Sequence, residues 1–151
     1  MPDPLFESRT ARFELPLLFA GQAQKDGFVN ETTARIDAVL HGAIEGEQAT
    51  PPAAPIDGQA WLAGAGASGV WLGQGGKIAA RQAGNWLFVA PRDGMKLLNR
   101  SSGQEMRYSG GWKTAARPVL PSGGTVIDTE ARTAITAVLA ALTTVGIVPS
   151  T

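Results

Sequence analysis

The sequence predicts an α+β fold that is mainly β: a small antiparallel, Gly/Trp-rich hairpin sheet flanked by an N-terminal arm plus helix and by a C-terminal helix. Three observations carry the prediction. Between residues 56 and 117, glycine-containing turn signals recur about every ten residues with short β-prone runs between them, the spacing of antiparallel hairpins. Residues 125–145 are apolar-periodic, with helix start and stop signals at their ends. Two breakers, residues 50–55 (Thr-Pro-Pro-Ala-Ala-Pro) and 118–124 (Pro-Val-Leu-Pro-Ser-Gly-Gly), divide one compact module into 1–49, 56–117 and 118–151.

Along the chain, an apolar extended run from Phe13 to Phe19, broken by Pro16, turns at Gly21 into the polar Gln22-Ala-Gln24-Lys25. A helix is then expected over roughly residues 30–43, with Asn30 or Asp26 as N-cap. Val29, Ile36, Val39, Leu40 and Ala43 would form its apolar stripe. His41, the single histidine, falls at that helix end, where a cation suits the dipole. Residues 50–55 read as a stiff extended connector. Strands follow over 60–63, 69–72, 77–82, 86–89, 95–99, 105–108 and 112–114. Inside them lies a weak repeat: Arg81-Gln-Ala-Gly-Asn-Trp86 matches Arg107-Tyr-Ser-Gly-Gly-Trp112, and Gly69-Val70-Trp71 is a shortened echo. Each copy reads as a strand, a glycine turn and a tryptophan opening the return strand, which predicts a small sheet or half-barrel of similar hairpins. For the C-terminal helix, Asp128 or Thr125 is the cap, Glu130 suits the first turn, and Gly146 with Pro149 ends it. Ala131, Ile135, Val138, Leu142 and Val145 step by 4, 3, 4, 3, an a/d seam that Ala134 and Leu139 widen.

Composition narrows the function. A chain of 151 residues is one domain's worth, long enough for a real core. Thirteen basic residues balance thirteen acidic ones without a dense Lys/Arg cluster, which argues against nucleic-acid binding. No cysteine is present, so there is neither a disulfide framework nor a thiolate metal site. The Met-Pro-Asp-Pro start lacks a basic n-region and an apolar h-region, so synthesis in the cytoplasm without a signal peptide is expected. No apolar run approaches the roughly 20 residues that span a bilayer, so no membrane insertion is expected.

Catalytic chemistry finds no foothold. The carboxylates are dispersed, and nothing selects a pair for glycoside hydrolysis. No nucleophile motif surrounds His41. The glycine runs at 64–69 and 73–76 lack the strand–loop–helix context of a phosphate loop and read as hairpin turns. Neither a metal nor a cofactor is expected, and the protein is read as a non-enzyme.

Two surfaces remain as candidates. Exposed Trp71, Trp86, Tyr108 and Trp112 could stack on sugar rings, since an aromatic face offers large area at small entropic cost; the favoured reading is that the tryptophans fill the core of a thin sheet. The apolar arm (Phe13, Leu15, Leu17, Leu18) and the helical seam (Ile135, Val138, Leu142, Val145) are candidates for an assembly interface in a homo-oligomer, a trimer or a pentamer.

The block Leu-Pro-Leu-Leu…Gly-Gln-Ala-Gln-Lys…Asn-Glu, residues 15–31, resembles the opening of a domain of unknown function found in tail, fibre and spike proteins of bacteriophages, prophages and gene transfer agents. The resemblance is good over residues 10–45 and looser over 56–115. It implies work in a phage-like particle: a spike or tail-fibre base or adaptor that supports adsorption to the host surface and contacts other virion proteins at a capsid vertex, tail or fibre. A carbohydrate-binding module gripping capsule or cell-wall polysaccharide is the alternative.

Overall fold

The computed structural model describes residues 25–149. Those residues form an α+β fold of two helices and eight short strands in two four-stranded sheets. The arm residues Phe13, Leu15, Leu17 and Leu18, and the bend at Gln22 and Gln24, lie outside the described residues.

Helix α1 runs Lys25–Val39. It therefore begins earlier than the sequence predicts, and Asp26 and Asn30 lie within it rather than capping it. It stops earlier too, because His41 takes a left-handed backbone (φ 53°) and the next residues join the sheets. The expected stripe is mostly uncovered. Val29, Ile36 and Leu40 are exposed, Ala43 belongs to a strand, and Ala38 and Val39 make the contact with the core.

The first sheet contains β2 (Glu47–Gln48), β3 (Ala60–Ala63), β4 (Ile78–Gln82) and β5 (Asn85–Val89), in that order. The second contains β1 (Ala43–Ile44), β6 (Lys96–Asn99), β7 (Gln104–Tyr108) and β8 (Trp112–Lys113), likewise in order. The hairpins are antiparallel, as expected, but β1 on β6 and β2 on β3 pair parallel. Residues 43–48 thus cross from one sheet to the other, and Glu45 N–H donates to the Ala60 carbonyl as the chain passes. The core lies between the sheets, where Ile44, Leu62, Ile78 and Val89 meet Met95, Leu97 and Met106. It matches the alternate positions of the strands.

Residues 69–72, expected as a strand, instead hold a 3-10 helix at Gly69–Trp71. The turn carries Trp71 onto the outer face of the first sheet, against Trp61, Ala63, Ala67 and Ala79. Strand β3 is consequently buried on both faces.

The sequence repeat corresponds to a structural one. In each sheet an Asp-Gly corner precedes the central strand, and its carboxylate caps the distant hairpin turn. Asp57 Oδ1 accepts from Gly84 N–H at 3.0 Å, and Asp93 Oδ1 accepts from Gly110 N–H at 2.9 Å. Gly58 N–H donates to the Arg81 carbonyl, and Gly94 N–H donates to the Tyr108 carbonyl. Arg81 is therefore equivalent to Tyr108, not to Arg107. The β4–β5 turn has two residues, Ala83 and Gly84, both at positive φ, whereas the β7–β8 turn has three, which shifts the alignment by one. The cross-strand partners agree: Arg81 faces Trp86 and Tyr108 faces Trp112.

Helix α2, Thr129–Thr144, begins at Asp128, whose Oδ1 accepts from Ala131 N–H at 2.8 Å. Thr125, the alternative cap, lies in the preceding linker. Gly146 (φ 73°) terminates the helix as expected.

Candidate functional site

The aromatic candidates divide by burial. Trp71 is wholly buried (0% exposed), with its Nε1–H lacking an acceptor among the described residues. It presents no face to a sugar, which corrects its assignment to an exposed stacking platform. Its ring packs edge-on to Trp86 with centroids 5.0 Å apart, and Trp61 completes the cluster. Trp86 is half-buried, and the Arg81 guanidinium lies 5.2 Å from its ring centroid. Tyr108 and Trp112 are half-buried as well, T-shaped at 5.2 Å, and rest against the inter-sheet core. The Trp112 Nε1–H donates to the Gly76 carbonyl, tying the second sheet to the loop before β4. The structure does not gather the four residues on one face: Trp71 and Trp86 belong to one cluster, Tyr108 and Trp112 to another.

A cleft of about 610 Å³ separates α1 from the β4–β5 hairpin. Asn30, Thr33 and Asp37 line the helix side, and Gln82, Trp86 and Leu87 the hairpin side. In the sequence Asn30 stands out only as a cap candidate and block residue and Gln82 only as part of the repeat, and Thr33, Asp37 and Leu87 carry no signal, because the cleft exists only once α1 is set beside the hairpin. Arg35 helps set it there, bonding Glu31 within the helix and reaching the Phe88 carbonyl at 3.4 Å.

The helical seam is the second candidate surface. In α2 only Leu139 is buried; Leu142 is half-buried, while Ile135, Val138 and Val145 are 43%, 58% and 61% exposed. Linker residues Val119, Val126 and Ile127 are exposed as well. The helix is fastened near its C-terminal end. Gly146 accepts from Glu105 N–H at 2.7 Å, and the buried Gln104 Nε2 donates to the carbonyls of Ala115 and Ile147. Arg117 donates to Thr143 Oγ1 and to the Pro149 carbonyl, and Arg132 holds the linker through the Gly123 carbonyl. A Cβ on Gly146 would lie 3.0 Å from the Gly103 carbonyl, so this close approach calls for glycine. The sequence indicated the seam's spacing but not which part of the helix would be docked.

Among the described residues no group of His, Asp and Glu is placed to hold a metal ion, and no helix is long and apolar enough to cross a membrane. His41 is exposed and sits beyond the helix end rather than in it.

No curated protein matches the chain. The family model described as a protein of unknown function, DUF2793, matches residues 29–113, from within α1 to the end of β8, which leaves the linker and α2 outside the matched span. That match covers more than half of the sequence, and the chain belongs to the DUF2793 family.

Proposed function

We propose that the protein is a non-enzymatic structural component of a phage-like particle or gene transfer agent: a spike or tail-fibre base or adaptor that supports adsorption to the host surface. The observation that carries this reading is the uncovered apolar seam of α2. A 16-residue helix is marginal in water unless its stripe is buried, yet here three seam residues face solvent. From residue 133 to 149 there is no charged side chain to oppose close packing of copies around an axis. Identical helices meeting at Ile135, Val138, Leu142 and Val145 would satisfy the stripe and give a closed ring, a trimer or a pentamer. The sheets, which lie within the family-matched span, would then face outward toward other virion proteins. The resemblance of residues 15–31 to phage and gene-transfer-agent appendage proteins supports the same setting.

The aromatic residues lend less support to a polysaccharide grip, since Trp71 is enclosed and Tyr108 and Trp112 serve the core. Quantitative mass spectrometry of gradient-purified particles from the producing cell tests the proposal. The expected result is the chain at a fixed copy number per particle, with particles from a deletion strain intact but adsorbing less. Its absence from purified particles would refute the virion assignment.

A further inference from the structure

The edges of the two sheets are unequal. Three of them, β1, β2 and β8, are two residues long, but the fourth, β5, has five: Asn-Trp-Leu-Phe-Val. Natural sheets blunt such edges with lysine, proline, a bulge or a covering element, because free N–H and C=O groups recruit another strand. β5 contains neither lysine nor proline, and among the described residues no strand pairs with its outer side.

The two-residue turn determines which groups face outward. Its closing pair, Gln82 and Asn85, exchanges both ladder bonds, so Asn85, Leu87 and Val89 bond inward to β4. The N–H and C=O groups of Trp86 and Phe88 then point to the open edge. Arg35 reaches the Phe88 carbonyl, consistent with that direction. Among the described residues, the Trp86 N–H and C=O and the Phe88 N–H have no main-chain partner.

We propose that the cleft between α1 and β5 is a docking groove for an extended segment of another protein chain, which adds to the first sheet as a fifth strand. Main-chain bonds to Trp86, which lines the cleft, and to the Phe88 N–H just beyond its lining would supply affinity, and pockets for alternate side chains would supply specificity. The groove's volume, about 610 Å³, suits a short strand beside an edge that spans about 17 Å at ~3.3 Å per residue. Helix α1 walls the opposite side through Asn30, Thr33 and Asp37.

Charge defines the occupant further. Among the described residues, Glu31 and Asp37 line the groove without any lysine or arginine, and Glu31 is already paired with Arg35. Asp37 has no ion-pair partner among the described residues. The occupant is therefore an extended segment with β-branched or aliphatic residues at alternate positions and a lysine or arginine opposite Asp37. Two copies of this chain meeting edge to edge would bring like charges together. The proposal is independent of assembly through α2, because the groove's lining residues all lie in the family-matched body.

Selection from a random 12-residue peptide library against the full chain tests it. The expected peptides alternate apolar residues, carry at least one basic residue, and slow hydrogen exchange at the Trp86 and Phe88 amides when titrated. Asp37→Lys, at an exposed position that leaves the fold intact, should weaken them at least tenfold. No enrichment, or peptides whose binding neither protects those amides nor responds to Asp37→Lys, overturns the proposal. So does a saccharide-array ligand sensitive to Trp86→Ala but not to Asp37→Lys, which would make the cleft a glycan site.

Discussion

Removing the Asp57 carboxylate tests whether the Asp-Gly corners hold the two sheets in shape. Gly84 N–H lies 3.0 Å from Oδ1 and 3.3 Å from Oδ2, so a single backbone donor is shared between both oxygens. A hydrogen bond to a charged group contributes about 1.5–3 kcal/mol. Half-exposure of the side chain places this one at the lower end. The Arg81 contact at 3.9 Å is a loose surface pair that adds at most ~0.5 kcal/mol. Asp57→Ala should therefore cost about 1–2 kcal/mol, which for a domain of this size is a fall in Tm of about 3–6 °C. Asp57→Asn keeps an acceptor oxygen and should cost less than half as much. Asp93→Ala removes the equivalent bond to Gly110 in the other sheet and should match Asp57→Ala. The two share no partner, so the double variant should be additive to within about 0.5 kcal/mol. Chemical denaturation followed by tryptophan fluorescence and circular dichroism reads all four. Equal losses for Asp57→Ala and Asp57→Asn would show that the ion pair, not the turn cap, does the work. A loss below about 0.5 kcal/mol for both alanine variants would refute the corner argument.

Three further outcomes are expected. His41→Gly should raise stability by up to about 1 kcal/mol, because a non-glycine residue at φ 53° is strained and the side chain is exposed; destabilisation would mean that His41 makes a contact of its own. Gly146→Ala should destabilise by about 1–2 kcal/mol through left-handed strain and the approach to the Gly103 carbonyl, and a neutral result in thermal melts would contradict the tight docking described. Gln104→Ala removes bonds to both the linker and the tail, so the α2 amides should exchange faster while those of β4 and β5 are unchanged; uniform protection would show that the helix is held elsewhere.

The parts of this fold that were legible in the sequence are those with local chemistry. Asp128 and Gly146 bound α2 because a side-chain cap and a left-handed glycine act within a few residues of themselves. The hairpins were legible for the same reason, since each turn carries its own glycine. Strands β1 and β2 were not, because two residues of main-chain pairing leave no side-chain pattern. Gly69-Val70-Trp71 looked like a strand because valine and tryptophan favour one, but burying the large Trp71 ring over β3 and β4 prevailed over that local preference. Tryptophan exposure, the cleft beside α1 and the uncovered face of α2 depend on distant segments meeting, and no short-range signal announces them. The one-residue offset in the repeat arose from turn length, which glycine content alone does not define.

The account rests on α2 being a seam between copies. Light scattering of the full chain, alone and as the Ile135→Asp/Val138→Asp double variant, measures that directly. Both positions are solvent-facing in the single chain, so the double variant should keep the circular dichroism of its sheets. A closed trimer or pentamer is expected for the parent chain and a monomer for the variant. A parent chain that is monomeric at all concentrations, or an oligomer that the two aspartates leave unchanged, would contradict it.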